Sequence, residues 1–299
     1  MRKIQLFQPE GFWLVTGAAI LWGTIGVATQ AIYNSDSTTS LFINLARLLV
    51  ATPVLVLLCW RVVGQKMFHI QRGDLLIMLL SGTMLALSQA AYFAAIHDTG
   101  VTIATLLTLC IAPLVVTFLS VLLKFETLTV RIVIALICAL VGSVLLVGLH
   151  SPEGTHYDLL LGTMFSLIAA VGYAGMIICG RFLAADYHPL QVTAVTFGAG
   201  TLLLVLINLA SGIVVVHSTQ GWMLILYLGL VPTAFAYWLF QKGLRSVSAT
   251  AASIVSMLDP VVAAALAWAL FGETLAGTGI AGAVLLILSV FLLSTDNGM

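Results

Sequence analysis

The stretch Val101 to Leu128, VTIATLLTLCIAPLVVTFLSVLLKFETL, returns as Ser248 to Leu275, SATAASIVSMLDPVVAAALAWALFGETL. The copies keep one register: Pro113 falls on Pro260, Glu126 on Glu273, Thr127 on Thr274 and Leu128 on Leu275. Just upstream, and with a two-residue gap in the loop, Ala91-Tyr92-Phe93 answers Ala236-Tyr237-Trp238. An internal match of this length marks a duplication, so the fold must be built from two like halves, residues 1–150 and 151–299.

The solvent of those halves follows from charge. Only 7% of the 299 residues are charged and 61% are hydrophobic, against about 25% charged residues in an ordinary soluble domain. Such a surface must face lipid. Runs of about 20 residues with almost no charge read as membrane-spanning α-helices. Ten are expected, at 11–33, 39–62, 74–97, 101–123, 129–149, 157–182, 189–211, 219–243, 248–271 and 276–294. The first is of spanning length, too long for the apolar core of a signal peptide. The polar stretch from His150 to Asp158 falls where a seam between halves belongs.

With the N-terminus inside, Arg2, Lys3, Arg61, Lys66, Arg72, Lys124, Arg131, Arg181, Lys242 and Arg245 all sort to the inner side. No Lys or Arg falls in an outer loop, and the eleventh basic residue, Arg47, lies inside helix two. This predicts a multi-pass protein of the cell membrane with both termini cytoplasmic. Because five is odd, two five-helix repeats cross the membrane in opposite directions. The expected fold class is an all-α membrane protein of ten helices in two inverted repeats. Many secondary transporters are built this way, with their site near the midplane and alternating access as a product of the symmetry.

These features carry a resemblance. Ten helices in two repeats, Leu21-Trp22-Gly23 in the first, and a proline followed by Glu-Thr-Leu at the ends of helices four and nine resemble the EamA-type drug/metabolite transporters over essentially the whole chain. Within them the nearest likeness is to the YddG-type exporters of aromatic amino acids. The resemblance implies a secondary transporter exporting small amphipathic metabolites, with aromatic or apolar amino acids the first expectation and drugs or lipophilic cations the alternative.

The residues that would carry transport are few. Asp259 is the one acid deep in a helix, and Ala112 holds its place in the first repeat. A charge there is costly, so it faces a cavity or a partner. It is read either as a proton carrier or ammonium contact, or as the cap of a half-helix restarted by Pro260. Arg47 is the one deep base, some eight residues or about 12 Å into helix two. It is read as a carboxylate anchor, as a partner of Asp259, or as a side chain snorkelling to the interface. Asn44 lies one turn away on the same face.

Gln89 and Tyr92, three residues apart, are expected to reach one cavity, with Tyr237 and Trp238 in the matching place on helix eight. Trp22 and Tyr173 near mid-depth are read as packing or as walls of an aromatic pocket, and Met257 and Met176 as adaptable apolar walls. Pro113 and Pro260 each remove a helical hydrogen bond and are hinge candidates, as are Gly23 and Gly172, which also permit close helix approach. The recurrence of Glu126 and Glu273 argues for pairing or capping at a helix end.

Other classes find little support. No metalloprotease, nucleophile-elbow or paired-aspartate pattern marks an enzyme, and no Walker-A loop marks ATP use. Zero net charge without a basic run excludes nucleic acid as the expected partner. The four cysteines and six histidines show neither a disulfide framework nor metal spacing. The expected partners are a small-molecule substrate and the lipid bilayer, with no cofactor. Lipid-facing and partner-facing apolar faces look alike, which leaves the oligomeric state open.

Overall fold

The computed structural model describes residues 9–148, 158–211, 215–216, 218–272 and 276–294. Arg2, Lys3, the seam from His150 to Tyr157, and the second Glu-Thr-Leu (Glu273, Thr274, Leu275) lie outside them. Among the described residues ten helices are long and apolar enough to span a membrane: α1 Glu10–Ser35, α2 Ser40–Phe68, α3 Arg72–Gly100, α4 Thr102–Leu122, α5 Val130–Val147, α6 Leu159–Leu183, α7 Pro189–Ala210, α8 Thr219–Gly243, α9 Ala249–Leu270 and α10 Gly277–Ser294. They match the ten expected spans to within a few residues, α2 running on through the short 3-10 turn at Gly64–Phe68.

Their starts are chemically marked. Thr39, Thr129, Asp158, Ser218 and Ser248 each accept a hydrogen bond from the backbone N–H three residues on, at 2.9–3.3 Å. Each cap satisfies a donor that the helix cannot, worth about 1 kcal/mol. Between α3 and α4 there is almost no loop. The chain turns at Gly100, whose φ of 78° suits a residue without Cβ.

Inverted duplication is visible in the packing. α1 lies on α8 as α6 lies on α3, and α2 on α8 as α7 on α3; α5 pairs with α10 at the edge. Glycines set the closest approaches. A Cβ on Gly82 would stand 2.3 Å from the Thr196 carbonyl oxygen, tying α3 to α7, and one on Gly229 would stand 2.6 Å from Val50, tying α8 to α2. Gly142 and Gly282 bring α5 and α10 backbone to backbone. Without water between helices, such contacts and dispersion replace the hydrophobic drive. The outward faces stay apolar: Leu76, Phe118, Leu160, Leu202, Trp268 and Phe291 are all exposed.

The two repeated prolines behave differently, where the sequence predicts equivalent kinks. Pro113 sits inside continuous α4, with the Thr117 hydroxyl donating to its carbonyl at 2.7 Å. At Pro260 the helix breaks. Met257 and Leu258 tighten to bonds three residues back, at 3.0 and 3.1 Å, and α9 restarts at Asp259. Leu258 rather than Asp259 occupies the cap position, and Asp259 falls in the first turn without a capping bond. A third proline, Pro232, sits in a seven-residue π-helix, Gly229–Phe235, within α8. The wider turn absorbs the missing donor, and such bulges recur at functional sites.

Gly82→Ala is expected to lower stability by about 1–3 kcal/mol, because a backbone carbonyl cannot move aside. Gly26→Ala meets nothing within 4 Å and is expected to gain about 0.5–1 kcal/mol from helix propensity. Thermal unfolding of the two variants in detergent checks the contrast.

Candidate functional site

Five helices bring polar and aromatic side chains to one place near mid-depth. Asp259 opens the second half of α9; after Pro260, which has no N–H, the Val261 and Val262 N–H groups bond the Leu258 carbonyl at 3.0 and 3.1 Å. Tyr92 of α3, Tyr173 of α6, Tyr237 of α8 and Arg47 of α2 all lie within electrostatic reach of Asp259. Tyr92 and Tyr237 are repeat mates, so the duplication itself places two phenols around one acid. The Tyr92 hydroxyl meets Thr105 of α4 at 2.7 Å, and that of Tyr173 lies against Ser256 at the end of the first half of α9.

Arg47 is buried, 4% exposed, and Asn44 one turn before it is 3% exposed. No ion pair or hydrogen bond joins Arg47 to Asp259 among the described residues, so of the readings open for Arg47 the direct pair is not formed. Snorkelling does not occur either, since the guanidinium is enclosed. Its backbone carbonyl is pressed by the π-helix at Gly229, which explains why α2 and α8 hold this register. The buried donors without a partner include Arg47 Nε, Asn44 Nδ2 and Trp22 Nε1. Buried donors left unpaired cost about 1–3 kcal/mol each, so a site of this kind calls for an acceptor group.

The wall is aromatic. Trp22 stands 4.9 Å from the Tyr237 ring and 5.1 Å from Phe240, and Phe197 of α7 stands 4.8 Å from Tyr237. Met257 is fully buried beside the break in α9. Toward the end that carries Arg61, Lys66, Arg72, Lys124, Lys242 and Arg245, here termed the basic end, a small cavity lies behind Tyr237. Ser81, Met176, Thr193, Thr196 and Gln241 line it with Phe197 and Phe240, and the Thr196 hydroxyl is unpartnered.

Not every candidate joins this group. Trp238 packs with Phe235, 5.7 Å off, and under Lys242 Nζ, 5.5 Å from the ring centre, with its indole Nε1 buried and unpartnered. A neighbour of Tyr237 in sequence is about 100° away around the helix, which a matched tripeptide does not reveal. Gln89 is half-buried one turn before Tyr92. Gly23 and Gly172 lie in unbroken helices and serve close approach: a Cβ on Gly23 would meet Val262 and the Asp259 carbonyl, and one on Gly172 the Met84 carbonyl. Phe197, Phe240, Ser256 and Thr105 escaped the sequence reading. Phe240, three residues after Tyr237 and so on its face, was legible there; Phe197 depends on how α7 meets α8.

The basic end is tied shut across the halves. The Glu126 carboxylate, just after α4, accepts from the backbone N–H groups of Ala249 and, at 3.3 Å, Thr250, the first residues of α9. The repeated glutamate thus caps the start of the other repeat's equivalent helix. Tyr187 donates to Asp74 at 2.8 Å and accepts from the Gln71 N–H at 3.1 Å. Gln191 donates to the Met67 carbonyl at 3.0 Å. Burial, with Arg245 and Lys242 nearby, holds His188 below the usual histidine range, so it stays neutral and its Nδ1 accepts the Leu190 N–H.

An all-helical body of two five-helix repeats, with a buried polar and aromatic site between them, defines a multi-pass membrane transporter. Residues 9–148 and 160–295 each match the EamA-like transporter family, and the chain belongs to it. It is similar to the uncharacterized transporter YwfM of Bacillus subtilis (strain 168), 28% identical over 277 residues, 93% of this chain and 91% of that one. It is likewise similar to the uncharacterized inner membrane transporter YicL of Salmonella typhimurium, 28% identical over 295 residues and 96% of each chain. A solved crystal structure 18% identical in sequence shares the fold, with a TM-score of 0.82 over 95% of this chain and 98% of that one.

Glu126→Ala is expected to cost about 1–2 kcal/mol by uncapping two N–H groups, and Glu126→Gln less, since one carbonyl acceptor remains. Thermal unfolding of both variants in one detergent checks the order.

Proposed function

We propose that the chain is a secondary transporter that exports small amphipathic metabolites by alternating access, with aromatic or apolar amino acids as the best-fitting class. One observation carries the reading: Arg47 and Asp259 share Tyr237 as a neighbour yet do not pair with each other. Two opposite charges that do not pair with each other would each find a counter-charge in a zwitterion. Its carboxylate would take the unpartnered donors of Arg47, Asn44 and Trp22, bidentately at the guanidinium. Its ammonium would take Asp259 and the tyrosine hydroxyls, and its apolar side chain the wall of Trp22, Phe197, Phe240 and Met257.

Satisfying both charged ends matters because an unpaired charge there costs several kcal/mol. A diphosphate would call for several bases, and Arg47 is the deep base available. The basic residues sort to one side, which supports cytoplasmic termini and a closed end that faces the cytoplasm. A second reading has its own support. An acid faced by three tyrosines also suits a lipophilic cation, through ionic and cation–π attraction.

Counterflow of radiolabelled phenylalanine in proteoliposomes tests the proposal. Arg47→Ala is expected to weaken it at least about tenfold in kcat/KM, the loss of a charged hydrogen bond. Protein that moves tetraphenylphosphonium and no amino acid would favour the second reading instead.

A further inference from the structure

We infer that Asp259 exchanges a proton for the cationic end of the substrate, so that the site carries substrate one way and returns with a proton. The inference rests on the substrate reading above and adds the coupling ion. Among the described residues Asp259 is the single acid at mid-depth; Glu10, Asp36, Asp74, Asp98, Glu126, Asp158 and Asp186 stand at helix ends or beyond them. It is half-buried, so a small cation or water reaches it without unfolding the site.

The groups that face it are Arg47 from α2, Tyr92 from α3, Tyr173 from α6 and Tyr237 from α8. α1 and α5, which pack on the same half of α9, bring no acid, base or tyrosine at this depth. α1 presents Gly23 there.

An exchanging group must hold both its forms, and the surroundings fix neither. Among the described residues no ion pair fixes the charge of the carboxylate. The N-terminal turn of a half-helix and the positive charge of Arg47 at longer range support it. Neither side is settled by a direct bond, so the occupant decides. In the empty site a proton neutralises the carboxyl. When an ammonium arrives, the Asp259 O–H bond breaks, its electron pair stays on oxygen, and the proton leaves to water. The carboxylate then accepts from the ammonium N–H. Departure of the substrate reverses these steps, and no covalent bond to substrate forms. Ala112 at the equivalent place in α4 shows that the repeat scaffold does not need this acid for its shape. Asp259 is an addition to one half, in the half where the helix is broken to receive it.

The test uses the full chain in lipid nanodiscs. Infrared difference spectra across about pH 5 to 9 should show the carbonyl stretch of a protonated carboxyl disappearing as pH rises. Asp259→Asn should lack the band, and Asp259→Glu should restore it at a shifted frequency. Phenylalanine added at a pH where the band is present should remove it and release about one proton per ligand, read by calorimetry in buffers of different ionisation enthalpy. A carboxyl that does not titrate, or a band that survives in Asp259→Asn, overturns the inference. Phenylalanine counterflow without proton release overturns it too, and leaves the substrate reading standing. Proton release on binding of tetraphenylphosphonium, with no response to phenylalanine, upholds exchange at Asp259 and removes the amino-acid reading.

Discussion

In hydrocarbon every backbone N–H and C=O must be satisfied within the protein, and the rest of this structure depends on that constraint. It forces ten helices and confines irregular backbone to places where other helices cover it. Among the described residues the irregularities at mid-depth are the π-helix around Pro232 and the break before Asp259. Both border the same group of side chains. The π-helix presses against the backbone of Arg47, and the break exposes a helix start beside Asp259. The cost of interrupting a helix is thus spent where polar backbone and charged side chains can offset one another.

Duplication supplies most of the site and none of its charge. Tyr92 and Tyr237 are mates, and the α1–α8 and α6–α3 contacts bring Trp22 and Tyr173 toward them from opposite halves. Arg47 and Asp259 have no charged mate in the other half. A symmetric scaffold has two equivalent ways to pack, one for each end, and unequal residues in the middle decide what it holds. The repeated prolines show the same division. One is absorbed in continuous α4 and the other breaks α9, although their positions in the repeat are identical.

The ten spans, their inverted arrangement and the family were legible because they rest on composition, periodicity and a long internal match, all properties of one chain read in order. So were Arg47, Asp259 and the tyrosines, since a polar group at mid-depth in an apolar run stands out. Trp238 shows the limit. Its tripeptide matches that of Tyr92, but the face it occupies depends on helix rotation, and the π-helix just before it changes that rotation. Phe197 was hidden for a related reason: α7 carries no mark of which residue will meet Tyr237. The different outcomes at Pro113 and Pro260 likewise turn on tertiary packing, which a single mid-helix proline does not encode.

The ties that close the basic end differ in kind from the packing at mid-depth. Those that cross between halves include the Glu126 carboxylate on the Ala249 and Thr250 N–H groups, the Gln191 amide on the Met67 carbonyl, and Tyr187 on Asp74 and Gln71. Each joins groups at the ends of spans, where water can replace the lost partner. A net hydrogen bond is worth about 1 kcal/mol, and about 1.5–3 when one partner is charged, once exchange with water is counted. Buried apolar contacts cross the halves beside these ties as well, Met78 with Leu183, Tyr187 and Val192, and Phe125 with Phe182. The glycine contacts between α3 and α7 and between α8 and α2 admit no water and no larger side chain. The alternating access proposed above would draw on this division between close-packed glycine contacts among the spans and polar ties at their ends.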